Sequence, residues 1–451
     1  MIGVPPTSVV LLRAPWREPA AVLAAFAHEP FALGLLSDGS GPRARWSYVA
    51  RAPARTLWIE RADDADAFAA LAQLLGGRAD THPDGPPFQG GIAGLAAYEM
   101  GDRIERLGLG RRPGWPDLAC GDYEALLAFD HREREVVAIG RGADADSKAR
   151  AALAWLEGSP PTSPDGPLSG RIEADCGDAY EQAVADVVAR ITAGEIFQAN
   201  IARRWRGTLR AGAQPIDLLT RLAAQSPAPF AAYLNLDGRV LVSNSPERFV
   251  SVDPDGAALV AETRPIKGTV PRSNDPAEDA SLAAALCASE KDRAENLMIV
   301  DLMRNDLARV STPGQVVTPQ LFGIESFANV HHLVSTVRSR LAPGRTAVDL
   351  LAAAFPPGSI TGAPKVQAMK VIAALEPPRG PFFGSLFFAG TDGAFDSSVL
   401  IRTVAFERSR AGGWDFELRA GAGIVADSDP ASERRETETK ASAILRALAG
   451  S

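Results

Sequence analysis

Cysteine is scarce in this chain of 451 residues, where only Cys120, Cys176 and Cys287 occur. They lie far apart and form neither the paired spacing of a structural zinc site nor the framework of a disulfide-rich secreted domain. Such usage is typical of a protein kept in a reducing compartment. We therefore expect a cytoplasmic protein.

Long hydrophobic runs are missing as well. No apolar stretch approaches the roughly 20 residues that a membrane-spanning helix needs. The first six residues, Met1 to Pro6, lack the basic end followed by an apolar stretch that marks a signal peptide. We expect neither a membrane span nor a secretory leader.

Positive charge is outweighed by negative charge. The chain has 47 Lys and Arg against 55 Asp and Glu, a formal net charge of −8. The sequence contains no block of basic residues. Because nucleic acids and anionic membrane surfaces attract clustered positive charge, we expect neither as a partner.

Apolar residues, in contrast, are plentiful: 46% of the chain is hydrophobic and 23% is charged, as in ordinary globular proteins. Residues 158–170 contain four prolines and three glycines, so this segment cannot continue a helix or a central strand. We interpret it as a surface linker between an N-terminal region, residues 1–157, and a larger C-terminal region, residues 171–451.

Strands and helices alternate without regular βαβ spacing, which favours an α+β fold with antiparallel sheets. A helix is expected at residues 64–75. A second helix has Asp178 as its N-cap, an apolar stripe and Gly194 as its stop. Its stripe consists of Val184, Val187, Val188 and Ile191.

Short apolar segments at residues 31–36 and 125–129 predict strands. Another strand is expected at residues 195–203, with Gln198 and Asn200 on one face, because side chains alternate along a strand. The same alternation sends His331 and His332 to opposite faces, so we expect one of these histidines, rather than both, in a pocket.

Two glycine-rich segments imitate nucleotide-binding motifs. Residues 421–426 resemble a dinucleotide fingerprint, but residues 427–430 interrupt the helix that should follow. Residues 358–365 resemble a phosphate-binding loop, but the spacing differs and Pro364 stands where a backbone N–H is needed. We do not expect nucleotide binding.

Glu295 stands out in a predicted helix at residues 292–307. It is in register with the apolar side chains of Met298, Ile299 and Leu302. A carboxylate on an apolar face is costly unless it is paired or bound to a cation. From the helix alone, a partly buried salt bridge or a solvated edge position explains Glu295 as well as a ligand or catalytic role does.

Glu436 and Lys440 lie four residues apart on another predicted helix, which starts with Asp429 as N-cap and Pro430 in the first turn. Taken alone, they are explained by a surface ion pair. Two isolated acids on separate helices, Glu295 and Glu436, would also suit Mg²⁺, which commonly takes one or two carboxylates and completes its shell with water and substrate oxygens.

Lys267 lies between Ile266 and Gly268, in a segment whose turn is set by Pro265 and Gly268. A lysine acts as a nucleophile only where its surroundings favour the neutral amine. Considered alone, Lys267 is best explained as a solvent-facing side chain, since most lysines are exposed.

Taken together, these segments resemble the chorismate-utilising enzymes, which include component I of aminodeoxychorismate synthase, component I of anthranilate synthase, and the isochorismate and salicylate synthases. The resemblance covers nearly the whole chain, with its motifs in the family's order. These motifs are Ser245–Phe249, Thr263–Thr269, Asp292–Asp306, His331–Ser335, Gly358–Lys365, Ile401–Thr403 and Ala420–Val425.

The resemblance implies a large α+β unit with two antiparallel sheets flanked by helices and an active site in the cleft between the sheets. It also implies a role for each matched residue. Glu295 and Glu436 would hold Mg²⁺ at the ring carboxylate of chorismate, and the substrate would be bound by Arg402, Lys440, Gly423, His332 and Thr269.

Within the family, three features favour the aminodeoxychorismate synthases. Gln198 replaces the lysine base with which the isochorismate and salicylate synthases activate water. Lys267 stands where the anthranilate enzymes carry alanine. The third feature is the sequence of residues 88–94 and 292–306. The alternatives are an anthranilate synthase component I and, less favoured, a non-catalytic chorismate-binding scaffold.

The reaction implied is two displacements. Lys267 attacks C2 of chorismate while the C4 hydroxyl leaves, with Glu247 as the proton-transfer group, and ammonia then adds at C4 as Lys267 departs. The product, 4-amino-4-deoxychorismate, leads to p-aminobenzoate and folate.

None of the three cysteines has the glycine-flanked setting of a glutaminase nucleophile, so the resemblance implies that ammonia comes from a separate glutamine amidotransferase subunit.

Two further features concern the pockets. Phe387 stands where the family usually has glycine, and we expect its bulk to reshape the substrate pocket unless its neighbours are smaller. Relatives bind a regulatory tryptophan with residues whose places are taken here by Ser37, Arg45, Trp46, Pro229 and Phe230. A tryptophan there could be structural, inhibitory or absent.

Overall fold

The computed structural model describes residues 9–39, 44–60, 62–63, 65–326, 330–410 and 412–450. The first six residues, which argue against a signal peptide, and residue 64, the expected start of a helix, lie outside this part of the chain. The described helices are α1 Pro19–Ala24, α2 Ala67–Leu75, α3 Met100–Glu105, α4 Ala145–Ala154, α5 Gly177–Thr192, α6 Pro215–Gln225, α7 Pro276–Ala288, α8 Glu290–Ala308, α9 Ala347–Ala354, α10 Lys365–Leu375 and α11 Pro430–Ala449. None of them is long and apolar enough to cross a lipid bilayer.

The strands pair in two large sheets. They are β1 Val9–Pro15, β2 Leu33–Leu36, β3 Trp46–Ala50, β4 Arg55–Ile59, β5 Gly91–Ala96, β6 Leu118–Tyr123, β7 Ala125–Asp130, β8 Glu135–Arg141, β9 Ser169–Ala174, β10 Gln198–Leu209, β11 Phe230–Asn235, β12 Arg239–Ser245, β13 Arg248–Asp255, β14 Ala258–Thr263, β15 Ile266–Pro271, β16 Val317–Ser326, β17 Val330–Arg340, β18 Gly362–Ala363, β19 Ser385–Gly390, β20 Phe395–Val399, β21 Thr403–Arg408 and β22 Trp414–Ile424.

Both sheets combine strands from before and after the proline-rich segment at residues 158–170. The first sheet has twelve strands in the order β1-β8-β7-β3-β2-β11-β12-β21-β22-β10-β18, with β9 also paired to β10. The second has ten strands in the order β15-β17-β14-β13-β20-β19-β5-β6-β4, with β16 also paired to β17. Neighbouring strands are antiparallel, for example β10 with β22 and β15 with β17. The predicted α+β class with two antiparallel sheets flanked by helices is confirmed.

One large apolar cluster lies between the sheets. Leu126 and Leu241 of the first sheet pack in the same cluster as Leu95 and Phe395 of the second. Helices cover the outer faces; for instance, Leu218 of α6 and Ile444 of α11 belong to a separate cluster on the first sheet. Burial of this apolar surface against water is the main source of stability. This burial holds the two sheets face to face, and the cleft described below lies at their edges.

Helix ends agree with the sequence signals in most places. The Asp429 carboxylate caps α11 by accepting from the Ser432 backbone N–H at 2.9 Å, with Pro430 in the first turn. The prediction of Asp178 as the N-cap of α5 is wrong, because Cys176 is the cap residue. Asp178 lies in the first turn, where its negative charge interacts favourably with the positive end of the helix dipole.

Strand boundaries differ from the predictions by a few residues. β2 starts at Leu33, because Phe31 has a left-handed φ of 59° that a strand does not accommodate. β10 starts at Gln198 and continues to Leu209. Lys267, expected in a turn, lies near the start of strand β15, and the positive φ of Gly268, 81°, kinks this strand beside it.

Candidate active site

A cleft of about 690 Å³ lies where the two sheets meet helices α8 and α11. The first sheet contributes β22, the second contributes β15 and β17, and the loops before β13 and β21 complete the wall. All nine residues predicted for catalysis, substrate binding and metal binding line this cleft. They are Glu247, Lys267, Thr269, Glu295, His332, Arg402, Gly423, Glu436 and Lys440.

Lys267 is not a solvent-facing lysine. Its Nζ lies 3.3 Å from Oε2 of Glu295, and the two side chains are 18% and 17% exposed. The amine also faces the backbone of Gly423, where an added Cβ would lie 3.2 Å from Nζ. Glycine at position 423 therefore keeps the space beside the amine free.

The ion-pair explanation of Glu295 is confirmed, and its role as a ligand stays a prediction. Glu295 forms a partly buried ion pair with Lys267, and it lines the cleft on α8. Glu436 approaches from α11 and pairs with Nζ of Lys440 at 2.6 Å. Lys440 also donates to the Gly421 carbonyl at 3.0 Å, so this pair is anchored to the wall of the cleft.

The electrostatics of Glu436 favour a carboxylate. Burial alone would raise the pKa of Glu436, but the charges of Lys440 and Lys267 and the hydrogen bond from Lys440 outweigh it and hold the pKa below its ordinary value. Glu436 is therefore ionised at neutral pH, as a cation ligand must be.

Glu247 is nearly enclosed, with 9% of its surface exposed. The Ser359 hydroxyl donates to its Oε1 at 2.8 Å. Burial raises the pKa of Glu247, while the Ser359 hydrogen bond and the charges of Lys267 and Lys440 act in the opposite direction. A carboxyl group with a raised pKa in a cleft is suited to proton transfer.

His332 is the histidine that faces the cleft, whereas His331 turns away and its Nε2 lies 3.0 Å from Asp279. The predicted split of these neighbours is confirmed. Burial and then the Arg402 charge lower the pKa of His332 to about 4, so its ring is neutral at pH 7. Thr269 Oγ1 lies 2.8 Å from His332 Nδ1, which fixes the ring orientation.

Arg402 is a cation available to an anionic ligand. It has a left-handed φ of 49° just before β21. Burial lowers the pKa of Arg402, and within the described residues no carboxylate is paired with its guanidinium. An arginine fork matches the two oxygens of a carboxylate, so Arg402 suits a carboxylate-bearing substrate.

Several lining residues were missed by the sequence analysis. They are Asn200, Lys291, Asp292, Ser359, Arg419 and Glu433. Helical spacing could have identified Glu433, since it stands three residues before Glu436 and thus on the same face. Burial raises the pKa of Glu433, and Ser428 donates to its Oε1 at 2.7 Å.

The donor set of the cleft fits Mg²⁺. Within the described ranges, no group of three or more His, Cys, Asp or Glu side chains could hold a metal ion. Glu295 and Glu436 offer hard carboxylate oxygens in one cleft. Mg²⁺ needs only one or two such ligands and takes its remaining oxygens from water and substrate.

A second cavity, of about 410 Å³, contains all five residues predicted for tryptophan: Ser37, Arg45, Trp46, Pro229 and Phe230. Arg45 lies over the Trp46 ring with 5.0 Å to its centroid. Binding of tryptophan here stays a prediction. Calorimetric titration of the wild-type chain with L-tryptophan should show saturable binding. The variant Ser37→Trp should lose this binding, because the new side chain would fill the cavity.

Phe387 lines this second cavity and not the cleft, so the expectation that its bulk reshapes the substrate pocket is wrong. Its ring stacks on Phe395 with centroids 5.7 Å apart. Its cross-strand neighbour on β5 is Gly94. The phenylalanine that does line the cleft is Phe383.

Comparisons with known proteins agree with this geometry. A family model described as chorismate binding enzyme matches residues 35–446. Anthranilate synthase component 1 of Streptomyces coelicolor is 40% identical over 432 residues, which cover 91% of this chain and 82% of that protein. Aminodeoxychorismate synthase component 1 of Klebsiella aerogenes is 42% identical over 369 residues, covering 80% of this chain and 78% of that protein.

A solved structure shows the same architecture. Anthranilate synthase component I from Streptococcus pneumoniae superposes with a TM-score of 0.77 at 28% sequence identity, covering 90% of this chain and 93% of the other. Relatives with two different activities in their names therefore match to similar degrees.

Proposed function

The chain belongs to the family of chorismate-binding enzymes, and on that premise we propose that it converts chorismate and ammonia to 4-amino-4-deoxychorismate, the activity of an aminodeoxychorismate synthase component I. The observation that carries the proposal is Lys267, whose amine lies inside the cleft beside Glu295 and Gly423. The anthranilate branch, by resemblance, has alanine at this position.

The residues of the cleft account for binding a dianionic substrate. Arg402 and Lys440 offer a guanidinium and an ammonium to the two carboxylates, and the backbone of Gly423 lies beside Lys267 in the same cleft. Glu295 and Glu436 would hold Mg²⁺. When bound, this ion would supply positive charge to the ring carboxylate.

The chemistry proceeds in two displacements. The neutral amine of Lys267 attacks C2 of the ring, and both ring double bonds shift, from C1=C2 to C1=C6 and from C5=C6 to C4=C5. The C4–O bond breaks as Glu247 gives its proton to the hydroxyl, which leaves as water. Ammonia then forms the C4–N bond, the C2–N bond to Lys267 breaks, and the excess proton passes to the carboxylate of Glu247. Chorismate and ammonia thus give the amino product and one water.

The ammonia would come from a separate glutamine amidotransferase subunit. The names of several relatives end in "component 1", which supports a partner subunit. Of the three cysteines, Cys120 is buried and the other two lie outside the cleft. None of them could serve as a glutaminase nucleophile beside this cleft.

Product identification is the direct test. The chain should be incubated with chorismate, Mg²⁺ and an ammonium salt, and the products separated by chromatography and mass spectrometry. We expect 4-amino-4-deoxychorismate without release of pyruvate. Anthranilate and pyruvate would identify the alternative, an anthranilate synthase component I, which is supported by the relative from Streptomyces coelicolor. No turnover under any condition would favour a binding scaffold.

Water should be a poor nucleophile in this cleft. Gln198 is a neutral amide and cannot deprotonate water as a lysine base would. With chorismate and Mg²⁺ but no ammonia, we expect little isochorismate by chromatography. Rapid isochorismate formation would contradict the proposed branch of the family.

The pH dependence should report Glu247. A general acid works only while protonated, so the rate should fall as pH rises through the pKa of Glu247, which burial raises. Ser359→Ala removes the hydrogen bond that stabilises the carboxylate, so the pKa rises further and the alkaline limb of the kcat profile should move to higher pH. Ser359→Thr keeps the hydroxyl and should leave the limb in place. If the alkaline limb of the kcat profile does not move in Ser359→Ala, Glu247 is not the group whose titration controls the rate.

A further inference from the structure

Arg379 is a charged side chain buried behind the wall of the cleft. It lies in the loop that follows α10, is 1% exposed and is not among the residues that line the cleft. Its Nε and Nη2 donate to the two carboxylate oxygens of Glu376, at 3.1 and 3.0 Å. Because burying an arginine costs free energy even when a carboxylate pairs with it, the interior position of this guanidinium calls for an explanation.

The guanidinium also joins two segments of the cleft wall. Nη1 of Arg379 donates to the Ile360 carbonyl at 3.0 Å, and Nη2 donates to the Asn200 carbonyl at 2.7 Å. Both of these residues line the cleft, but Asn200 belongs to β10, whereas Ile360 belongs to the helical turn at residues 358–360. The planar fork of arginine can donate to both carbonyls in a fixed geometry, which the single nitrogen of a lysine cannot do.

Further contacts hold Arg379 in place. Its Cζ atom lies 4.4 Å from the ring centroid of Phe383, which lines the cleft, and 4.7 Å from that of Tyr98. The carboxylate of Glu99 accepts the backbone N–H of Arg379 at 2.6 Å and that of Gly380 at 2.8 Å. Arg379 is therefore fixed at its backbone as well as at its guanidinium.

The turn at residues 358–360 contains the hydrogen-bond partner of the proposed proton-transfer group. The Ser359 hydroxyl donates to Oε1 of Glu247 at 2.8 Å. Glu247 also faces the charges of Lys267 on β15 and Lys440 on α11, which belong to other elements. A displacement of the turn would therefore act on Glu247 through Ser359.

We propose that Arg379 is a positioning residue for the proton transfer: by joining the turn at residues 358–360 to β10, it holds the Ser359 hydroxyl on Glu247. This inference rests on the proposed function, in which Glu247 transfers the proton to the leaving hydroxyl, but not on which aminated product forms. It explains why a charged group is buried behind the wall rather than exposed to the substrate.

The test compares the pH profiles of kcat. The full chain is assayed with chorismate, Mg²⁺ and ammonium chloride, and all aminated products are counted. Arg379→Lys keeps a positive charge beside Glu376 but loses the fork. We expect its kcat plateau to fall about tenfold, because Glu247 is less well positioned, and the KM for chorismate to stay within about twofold.

The alkaline limb of the profile identifies the route of the effect. In Arg379→Lys it should move to higher pH, as in Ser359→Ala, because the Glu247 carboxylate loses the hydrogen bond that stabilises it and its pKa rises. In the double variant Arg379→Lys/Ser359→Ala the limb should move no further than in Ser359→Ala alone, since both changes remove the same interaction.

Arg141→Lys is the matched control. The Arg141 side chain is also largely buried, 11% exposed, and it bonds to a carboxylate, Asp122, and to a carbonyl, that of Tyr123, but it lies on β8 outside the cleft. This variant should lower the melting temperature without moving the limb. If Arg379→Lys does not fold, Glu376→Gln weakens the anchor of the same guanidinium and should move the limb in the same direction.

Each other outcome overturns the inference. A limb that stays in place in Arg379→Lys and in Glu376→Gln would leave Arg379 with a structural role only. A double variant whose limb moves by the sum of the two single shifts would show that Arg379 does not act through Ser359. A raised KM for chorismate with an unmoved limb would assign Arg379 to substrate binding. If the wild-type chain makes anthranilate, the proposed function has failed while the limbs still test Arg379; if it forms no aminated product, both have failed.

Discussion

Replacing Lys267 by alanine should reduce formation of 4-amino-4-deoxychorismate by at least about 100-fold, because the covalent route through C2 is lost. Hydroxide is a poor leaving group, so dividing the displacement into two steps is useful chemistry. The side chain is suited to this role, since it is 18% exposed and its amine faces Gly423 inside the cleft. Mass spectrometry of wild-type enzyme quenched during turnover should show a chorismate-derived adduct on the peptide that contains Lys267.

Two control variants separate the nucleophile from its charge. Lys267→Arg keeps a cation opposite Glu295 but has no nucleophilic amine, so it should lose both the adduct and the activity. Lys291→Ala removes a different positive charge that lines the same cleft and should retain the adduct. With alanine at position 267 the motif resembles that of the anthranilate enzymes, so weak direct attack of ammonia at C2 should become detectable as a new product.

The covalent mechanism would be contradicted by an unmodified Lys267 peptide throughout turnover, combined with normal aminodeoxychorismate formation by Lys267→Ala. That result would also remove the main reason for placing the chain in this branch of the family. The relatives alone do not decide between the branches, because proteins named for each activity are 40% and 42% identical to the chain.

The composition of the cleft was predictable because its residues belong to local motifs, yet their proximity was not. Lys267, Glu295 and Glu436 come from β15, α8 and α11, and long-range strand pairing brings these elements together. In isolation, Lys267 was best explained as exposed and Glu436 as half of a surface ion pair. The predicted ion pair is present, with Lys440 Nζ 2.6 Å from Glu436 Oε1. Helical spacing alone could not tell whether this pair faces solvent or a cleft, because that depends on how the helix packs.

The errors came from features that local patterns leave undetermined. Asp178 is a good capping residue, but α5 begins earlier, at Gly177, with Cys176 as its cap. Phe387 was expected to reshape the substrate pocket unless its neighbours were smaller, but it borders the second cavity. Which cavity a strand residue borders depends on the strand register and on how the sheets pack. Among the described residues, both amide atoms of Gln198 and Oδ1 of Asn200 are buried without a hydrogen-bond partner. This could not be recognised from sequence, because hydrogen-bond satisfaction is a property of the folded surroundings.

Replacing Glu295 or Glu436 by glutamine should abolish Mg²⁺-dependent turnover, with a loss of at least about 100-fold that excess Mg²⁺ restores poorly, because a neutral amide is a weaker ligand than a carboxylate for a hard dication. Both variants should stay folded by circular dichroism, since each changes one partly exposed ion pair, with Glu295 17% and Glu436 49% exposed. Titration with Mn²⁺ followed by electron paramagnetic resonance gives a readout that does not depend on activity.

Glu433→Gln is the matched control for this pair. Glu433 stands three residues before Glu436 on α11 and also lines the cleft, but its carboxylate is engaged by the Ser428 hydroxyl at 2.7 Å. Because burial raises the pKa of Glu433 while the lysine charges hold that of Glu436 down, Glu436 is the better cation ligand of the two near neutral pH. We expect Glu433→Gln to retain Mn²⁺ binding and the Mg²⁺ dependence of turnover. Wild-type-like Mn²⁺ binding and activity in both Glu295→Gln and Glu436→Gln would remove the metal from these two carboxylates and leave them only as partners of Lys267 and Lys440.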